Sequence, residues 1–192
     1  MTQVLFFGGY ASTQQDMGRW TASAKSQRSD IEWSGIQYPR YASADKPMEN
    51  YWMVPRYAAM LKPGDWVVGH SSGCAYANAV VEAVKFDDGI NLVCLDGFRP
   101  SPLLLQRSTT HCWSAACDDT QDKITRHFES INFDALSGTP NFHIYVAERC
   151  TLRWALHFSL VNRAANDENV GGYISRGYTD CVANLCWLPP MI

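Results

Sequence analysis

A chain of 192 residues with 46% apolar and 18% charged residues can bury a core of its own and is too apolar to stay disordered, so one globular domain over 1–192 is expected. The formal net charge of −3 comes without a basic stripe, which argues against nucleic-acid binding. No apolar run approaches the roughly 20 residues that span a bilayer, and Met1-Thr2-Gln3-Val4 begins neither a basic segment nor a cleavable apolar one, so a cytoplasmic location is expected.

Residues 3–8 (Gln-Val-Leu-Phe-Phe-Gly) read as a buried strand that runs into a loop over Gly8–Thr13. Residues 14–29 are polar with spaced apolar positions at Met17, Trp20 and Ala24, the pattern of a surface helix. Ile31–Ile36 alternates like a strand and stops before Tyr38-Pro39. After a loop over 40–50, a helix is expected over 51–61, with Asn50 as its cap and Trp52, Tyr57 and Met60 among its apolar residues; Pro55 inside it implies a kink or a later start. Lys62-Pro63-Gly64-Asp65 is a turn. A strand over 66–69, a helix from about 73 to 85, a turn at Asp87-Asp88-Gly89 and a buried strand over Ile90–Leu95 follow. Residues 98–138 carry two prolines, the run Leu103-Leu104-Leu105 and a polar helix-like stretch over about 118–131, and are expected to act as a lid or to shape a pocket. Phe142–Val146 reads as a strand, 151–166 as a helix with Trp154, Phe158, Val161 and Ala165 at helical spacing, and Tyr173–Ser175 as a last strand.

Strands alternating with helices imply βα units around a mostly parallel sheet, whose ligands bind beyond the carboxyl ends of the strands. Three features fall on that edge, each directly after an expected strand: the Gly8–Thr13 loop, Ser71 and Asp96.

Ser71 belongs to the pentapeptide Gly69-His70-Ser71-Ser72-Gly73, which follows Trp66-Val67-Val68 and precedes the helix-like stretch from Cys74 to Val81. G-x-S-x-G between a strand and a helix is a nucleophile turn: the serine rides on a sharp bend, and glycine suits the crowded flanks because it has no Cβ. The helix that starts there offers N–H groups and a positive end to a developing oxyanion. A glycine-bracketed turn without catalysis is the plainer alternative.

These residues resemble the α/β-hydrolase superfamily over most of the chain: Val4-Leu5-Phe6-Phe7-Gly8-Gly9 for the oxyanion-loop strand, the turn around Ser71, and Val93-Cys94-Leu95-Asp96 for the next strand. The turn is similar to that of small serine esterases, and an acid 25 residues after the serine is similar to the arrangement in thioesterases. The resemblance implies a compact α/β-hydrolase-like three-layer sandwich lacking the first one or two strands. It implies Ser71 as nucleophile on a small-molecule or carrier-bound acyl substrate, and oxyanion donors from the backbone of Ser72 with Gly9 or Tyr10. It implies Asp96 as the acid, with Glu148 as the alternative. His70, inside the turn, should point away from the serine hydroxyl. The family's histidine lies in a loop after the last strand, whereas no histidine follows His157 here. His157 is the first choice of base and His111, in the 98–138 segment, the second; His127 and His143 read as solvent-facing and sheet residues. This departure keeps open a hydrolase-like protein that binds its ligand without turning it over. A nucleotide-binding domain has only Gly8-Gly9 in its favour, with no G-x-G-x-x-G and no P-loop lysine.

Of seven cysteines, Cys74, Cys94 and Cys150 read as buried thiols. Cys112 and Cys117, like Cys181 and Cys186, have a C-x4-C spacing that is not a common zinc motif, so neither a metal nor any other cofactor is expected.

Overall fold

The first strand shows why the sheet must be covered on both faces. In β1 (Thr2–Phe7), Val4, Leu5, Phe6 and Phe7 are all buried, although successive side chains of a strand point to opposite sides. Continuous burial of this kind belongs to a parallel sheet with helices on either side. The computed structural model describes residues 1–27, 29–40, 42, 52–86, 89–95, 97, 98, 100, 101, 104, 108–114 and 142–146. Within them β1 is followed by α1 (Gln14–Gln27), β2 (Ile31–Ile36), α2 (Val54–Ala58), β3 (Trp66–His70), α3 (Gly73–Ala83), β4 (Ile90–Leu95), β5 (Ser108–Ser114) and β6 (Phe142–Val146).

The strands form one six-stranded sheet in the order β2-β1-β3-β4-β5-β6, and every neighbouring pair is parallel. Val4 and Phe6 join Trp66, Val68, Val93 and Leu95 in a core closed by Met17 and Ala24 of α1. Leu5 and Phe7 join Val67, Leu92 and Cys94 in a second core, closed by Tyr76, Ala77, Val80 and Val81 of α3 and Ala58 of α2. The result is three layers: α1, the sheet, and α2 with α3.

α1 opens on a reciprocal cap. The Asp16 N–H donates to Thr13 Oγ1 (3.1 Å), while Thr13 N–H and its hydroxyl donate to Asp16 Oδ2 (2.9 and 2.7 Å). The backbone and side-chain bonds from Thr13, helped by Arg19, hold the Asp16 carboxyl below its ordinary range. A lowered folded-state pKa means that this contribution to stability is complete above the unfolded value and fades as pH falls through the folded one.

Two expectations change. The helix expected over 51–61 is only Val54–Ala58, starting later because Pro55 fits the first turn, where no N–H is needed. Its flanking Trp52 and Met60 are exposed, and Tyr57 packs partly on the core. Within 98–138, Ser108–Ser114 is a sheet strand rather than part of a lid, and Leu104 is wholly buried in the second core. Cys74 and Cys94 are buried thiols, as expected. Asn50, the stretch 118–131, the helix over 151–166, the strand over Tyr173–Ser175 and Cys150 lie outside the described residues. No helix among the described residues is long and apolar enough to cross a membrane.

At the amino edge of the sheet, Asp65 is 1% exposed and ties three strands together. Its Oδ1 accepts the Gln3 N–H of β1 (2.9 Å) and its Oδ2 the Lys62 N–H (3.0 Å). Its carbonyl accepts the Asn91 N–H of β4 (3.0 Å). Replacing the carboxylate strands two amide donors, so Asp65→Ala should lose roughly 2–3 kcal/mol in urea denaturation, with Asp65→Asn between it and the wild type.

Candidate active site

β1 and β3 are neighbours, but their connections leave to opposite sides: the chain goes from β1 to β2 on one flank and from β3 to β4 on the other. Such a reversal opens a crevice at the carboxyl ends of the two strands. The Gly8–Thr13 loop and Ser71 stand on either side of it.

Ser71 has φ 55°, the left-handed region that a non-glycine residue enters at a cost of about 1–3 kcal/mol. Several backbone contacts hold it there. Its N–H donates to the Leu95 carbonyl at the end of β4 (2.9 Å), and its carbonyl accepts the Cys74 N–H (3.0 Å). The bracketing glycines answer to space: a Cβ on Gly69 would come within 2.5 Å of Cys74 Cα, and one on Gly73 within 2.5 Å of the Phe7 and Gly8 carbonyls. Strand, turn and helix thus pack backbone to backbone against the end of β1. α3 starts at Gly73 with Ser72 as its N-cap residue and no side-chain capping bond, so its positive end faces the Ser71 side of the crevice. Ser71 keeps 7% of its surface while Ser72 keeps none, so of the two serines only Ser71 meets solvent. The His70 ring is buried edge-on against Trp20 of α1, with ring centroids 6.1 Å apart.

The Gly8–Thr13 loop lies directly against the serine. A Cβ on Gly9 would sit 2.8 Å from Ser71 Cβ, so Gly9 and the following Tyr10 border the turn. The loop closes on itself through the Ser12 N–H to the Gly9 carbonyl (3.0 Å), with Ala11 at φ 62°. This is a type II turn with alanine where glycine is usual. It is braced from β2: the Gly8 N–H donates to the Ile36 carbonyl (2.9 Å), and the Tyr38 N–H to Ser12 Oγ (3.0 Å).

Ser71, Ser72, Gly9 and Tyr10 therefore meet at one edge. Asp96, Glu148, His127 and His157 lie outside the described residues; the neighbours of Asp96, Leu95 and Gly97, both meet the Ser71 turn. His111 stands in β5 opposite Val93, which stands opposite Val68, three residues short of Ser71. His143 is its partner in β6. His111 is thus a mid-strand residue and not part of a lid. Two residues escaped the sequence reading: Ser12, a plain loop serine, and Gly97, whose position directly after the strand and the Asp96 position was its one signal. Among the described residues no group of side chains could hold a metal ion.

Among solved structures, the chain is similar to the ydeN gene product of B. subtilis, an α/β-hydrolase, with a TM-score of 0.53 and 16% identity over 77% of this chain and 86% of that one. The fold is that of the α/β-hydrolases. An extracellular α/β-hydrolase from a Paenibacillus species, described as sharing structural and functional homology with tobacco salicylic acid binding protein 2, superposes with a TM-score of 0.39 and 14% identity over 53% of this chain and 43% of that one. No protein-family model matches the sequence, and no curated protein does. Within the α/β-hydrolase fold, the Ser71 turn occupies the junction of β3 and α3.

A Cβ on Gly97 would overlap the Ser71 carbonyl oxygen and lie 2.6 Å from Cys74 Sγ, and the carbonyl cannot yield without moving the turn. Gly97→Ala should therefore cost about 1–3 kcal/mol, read from its thermal denaturation. Ser12→Ala removes one brace of the Gly8–Thr13 loop and should lower stability by about 1 kcal/mol, read from its thermal denaturation.

Proposed function

We propose that the protein is a serine hydrolase that cleaves an ester or thioester of a small acyl group through an acyl-enzyme. The observation that carries this reading is the left-handed backbone of Ser71 at the junction of strand and helix, where the serine, buried but for 7% of its surface, stands beside a glycine loop. Strain at a position this thoroughly held is the mark of a residue kept for use.

In this reading Ser71 Oγ attacks the acyl carbon as its proton passes to the base. The carbonyl oxygen takes up negative charge between the backbone N–H groups of Ser72 and of Gly9 or Tyr10, each such donor being worth about 3–4 kcal/mol in the transition state. The bond to the leaving alcohol or thiol breaks, and the leaving group takes the proton back. Water then attacks the acyl-enzyme by the same route, releasing the acid and restoring the hydroxyl. Serine needs a base for this at neutral pH. His157 is proposed for that role and Asp96 for the acid that orients it, with Glu148 as the other carboxylate. The mid-strand position of His111 speaks against it as base. The substrate is a small or carrier-bound acyl compound.

A fluorophosphonate probe should label the wild type, and Ser71→Ala should abolish both labelling and the hydrolysis of p-nitrophenyl acetate. A folded wild type that neither reacts nor hydrolyses would instead be the non-catalytic binder that the missing late histidine allows.

A further inference from the structure

Two adjoining clefts, each of about 510 Å³, run along the carboxyl edge of β1 and β2. They share Gln14, Gln37, Pro39 and Arg40 and so form one trough. Ser71 does not line it, but Tyr10 does, and Tyr10 follows Gly9, the residue against Ser71. The exposed Tyr10 ring stands edge-on to the buried ring of Tyr38, with centroids 5.7 Å apart. The trough thus begins where the oxyanion loop ends.

Its chemistry is distinctive. Among the described lining residues, Arg40 carries the sole charge, with the amides of Gln14, Gln15 and Gln37 around it. The nearby Asp16 carboxylate is already engaged by Thr13 and by the Arg19 guanidinium (2.5 Å). Beyond Arg40 the wall turns apolar at Ile36, Met53 and Tyr57. From β3 across β1 to β2 is two strand spacings, about 10 Å, a span that a short acyl chain and an arginine side chain cover together.

We propose that this trough holds the anionic end of the substrate, the Arg40 guanidinium pairing with a carboxylate while the reacting carbonyl rests at Ser71. The proposal rests on the serine-hydrolase reading and adds a substrate class: acyl compounds that bear a second, free carboxylate. Arginine's planar fork matches a carboxylate with two parallel N–H donors. A neutral chain of equal length gains nothing there.

The test compares two p-nitrophenyl esters of equal acyl length, one ending in a carboxylate and one in a methyl group, in wild type and in Arg40→Gln. Wild type should favour the carboxylate ester in kcat/KM by about tenfold, and Arg40→Gln should erase the preference while leaving the methyl ester unchanged. Equal use of both esters by wild type, or a preference that survives in Arg40→Gln, overturns the trough and leaves the hydrolase reading standing. If neither ester is cleaved, it is the hydrolase reading that fails, and calorimetric titration with glutarate decides the trough. Binding that weakens in Arg40→Gln upholds it; absent or unaltered binding overturns it.

Discussion

The meeting of three backbones at the carboxyl edge of the sheet governs this molecule. The end of β1, the bend after β3 and the first turn of α3 approach so closely that side chains are excluded at Gly69 and Gly73. Ser71 can hold φ 55° because its N–H is bound by Leu95, its carbonyl by Cys74, and its flank is filled by Gly9. Each contact comes from a different element. A backbone conformation this unfavourable persists only where its surroundings over-determine it. The two cores supply the rest, since Phe6, Phe7, Leu92 and Tyr76, all essentially buried, fix the strands and α3 on which the bend depends.

Much of this was legible in the sequence for a physical reason. β1, β3 and β4 are buried on both faces, so they read as unbroken apolar runs. The bend read clearly because only glycine fits on both sides of it. β5 did not read, because Ser108-Thr109-Thr110-His111-Cys112-Trp113-Ser114 has neither an apolar run nor clean alternation. It can be a strand because its buried polar groups are satisfied locally. The Ser108 hydroxyl donates to the Leu104 carbonyl (2.7 Å), and the Ser108 and Thr110 hydroxyls share a bond (3.0 Å). α2 was overextended because Trp52 and Met60 look like core on paper, while both are exposed. Asp65 read as a turn residue, and nothing local showed that its carboxylate reaches Gln3, 62 positions earlier.

The candidate site divides in the same way. The candidate nucleophile and the loop proposed to hold the oxyanion are local features, each written in a few consecutive residues. Acid and base are not, because a triad is defined by where its members meet in space and not by their spacing. Within the Leu103–Leu105 run, Leu104 belongs to the core beneath. On the β2 side of the Gly8–Thr13 loop the surface carries three glutamine amides and a single arginine, Arg40.

The bond from Ser71 to Leu95 bears on how the molecule comes into being. During synthesis from the amino terminus, the serine emerges well before β4, and until Leu95 and Gly97 have followed, the bond to its N–H and the packing against its carbonyl are both missing. Pairing β1 with β3 already requires closing a loop of about sixty residues, which is slow relative to local helix formation. A nascent chain therefore passes through a stage with α1 available and the serine still slack. The bend is matured by the arrival of the fourth strand, and a ribosome-bound fragment that stops short of it holds the motif without its full set of contacts.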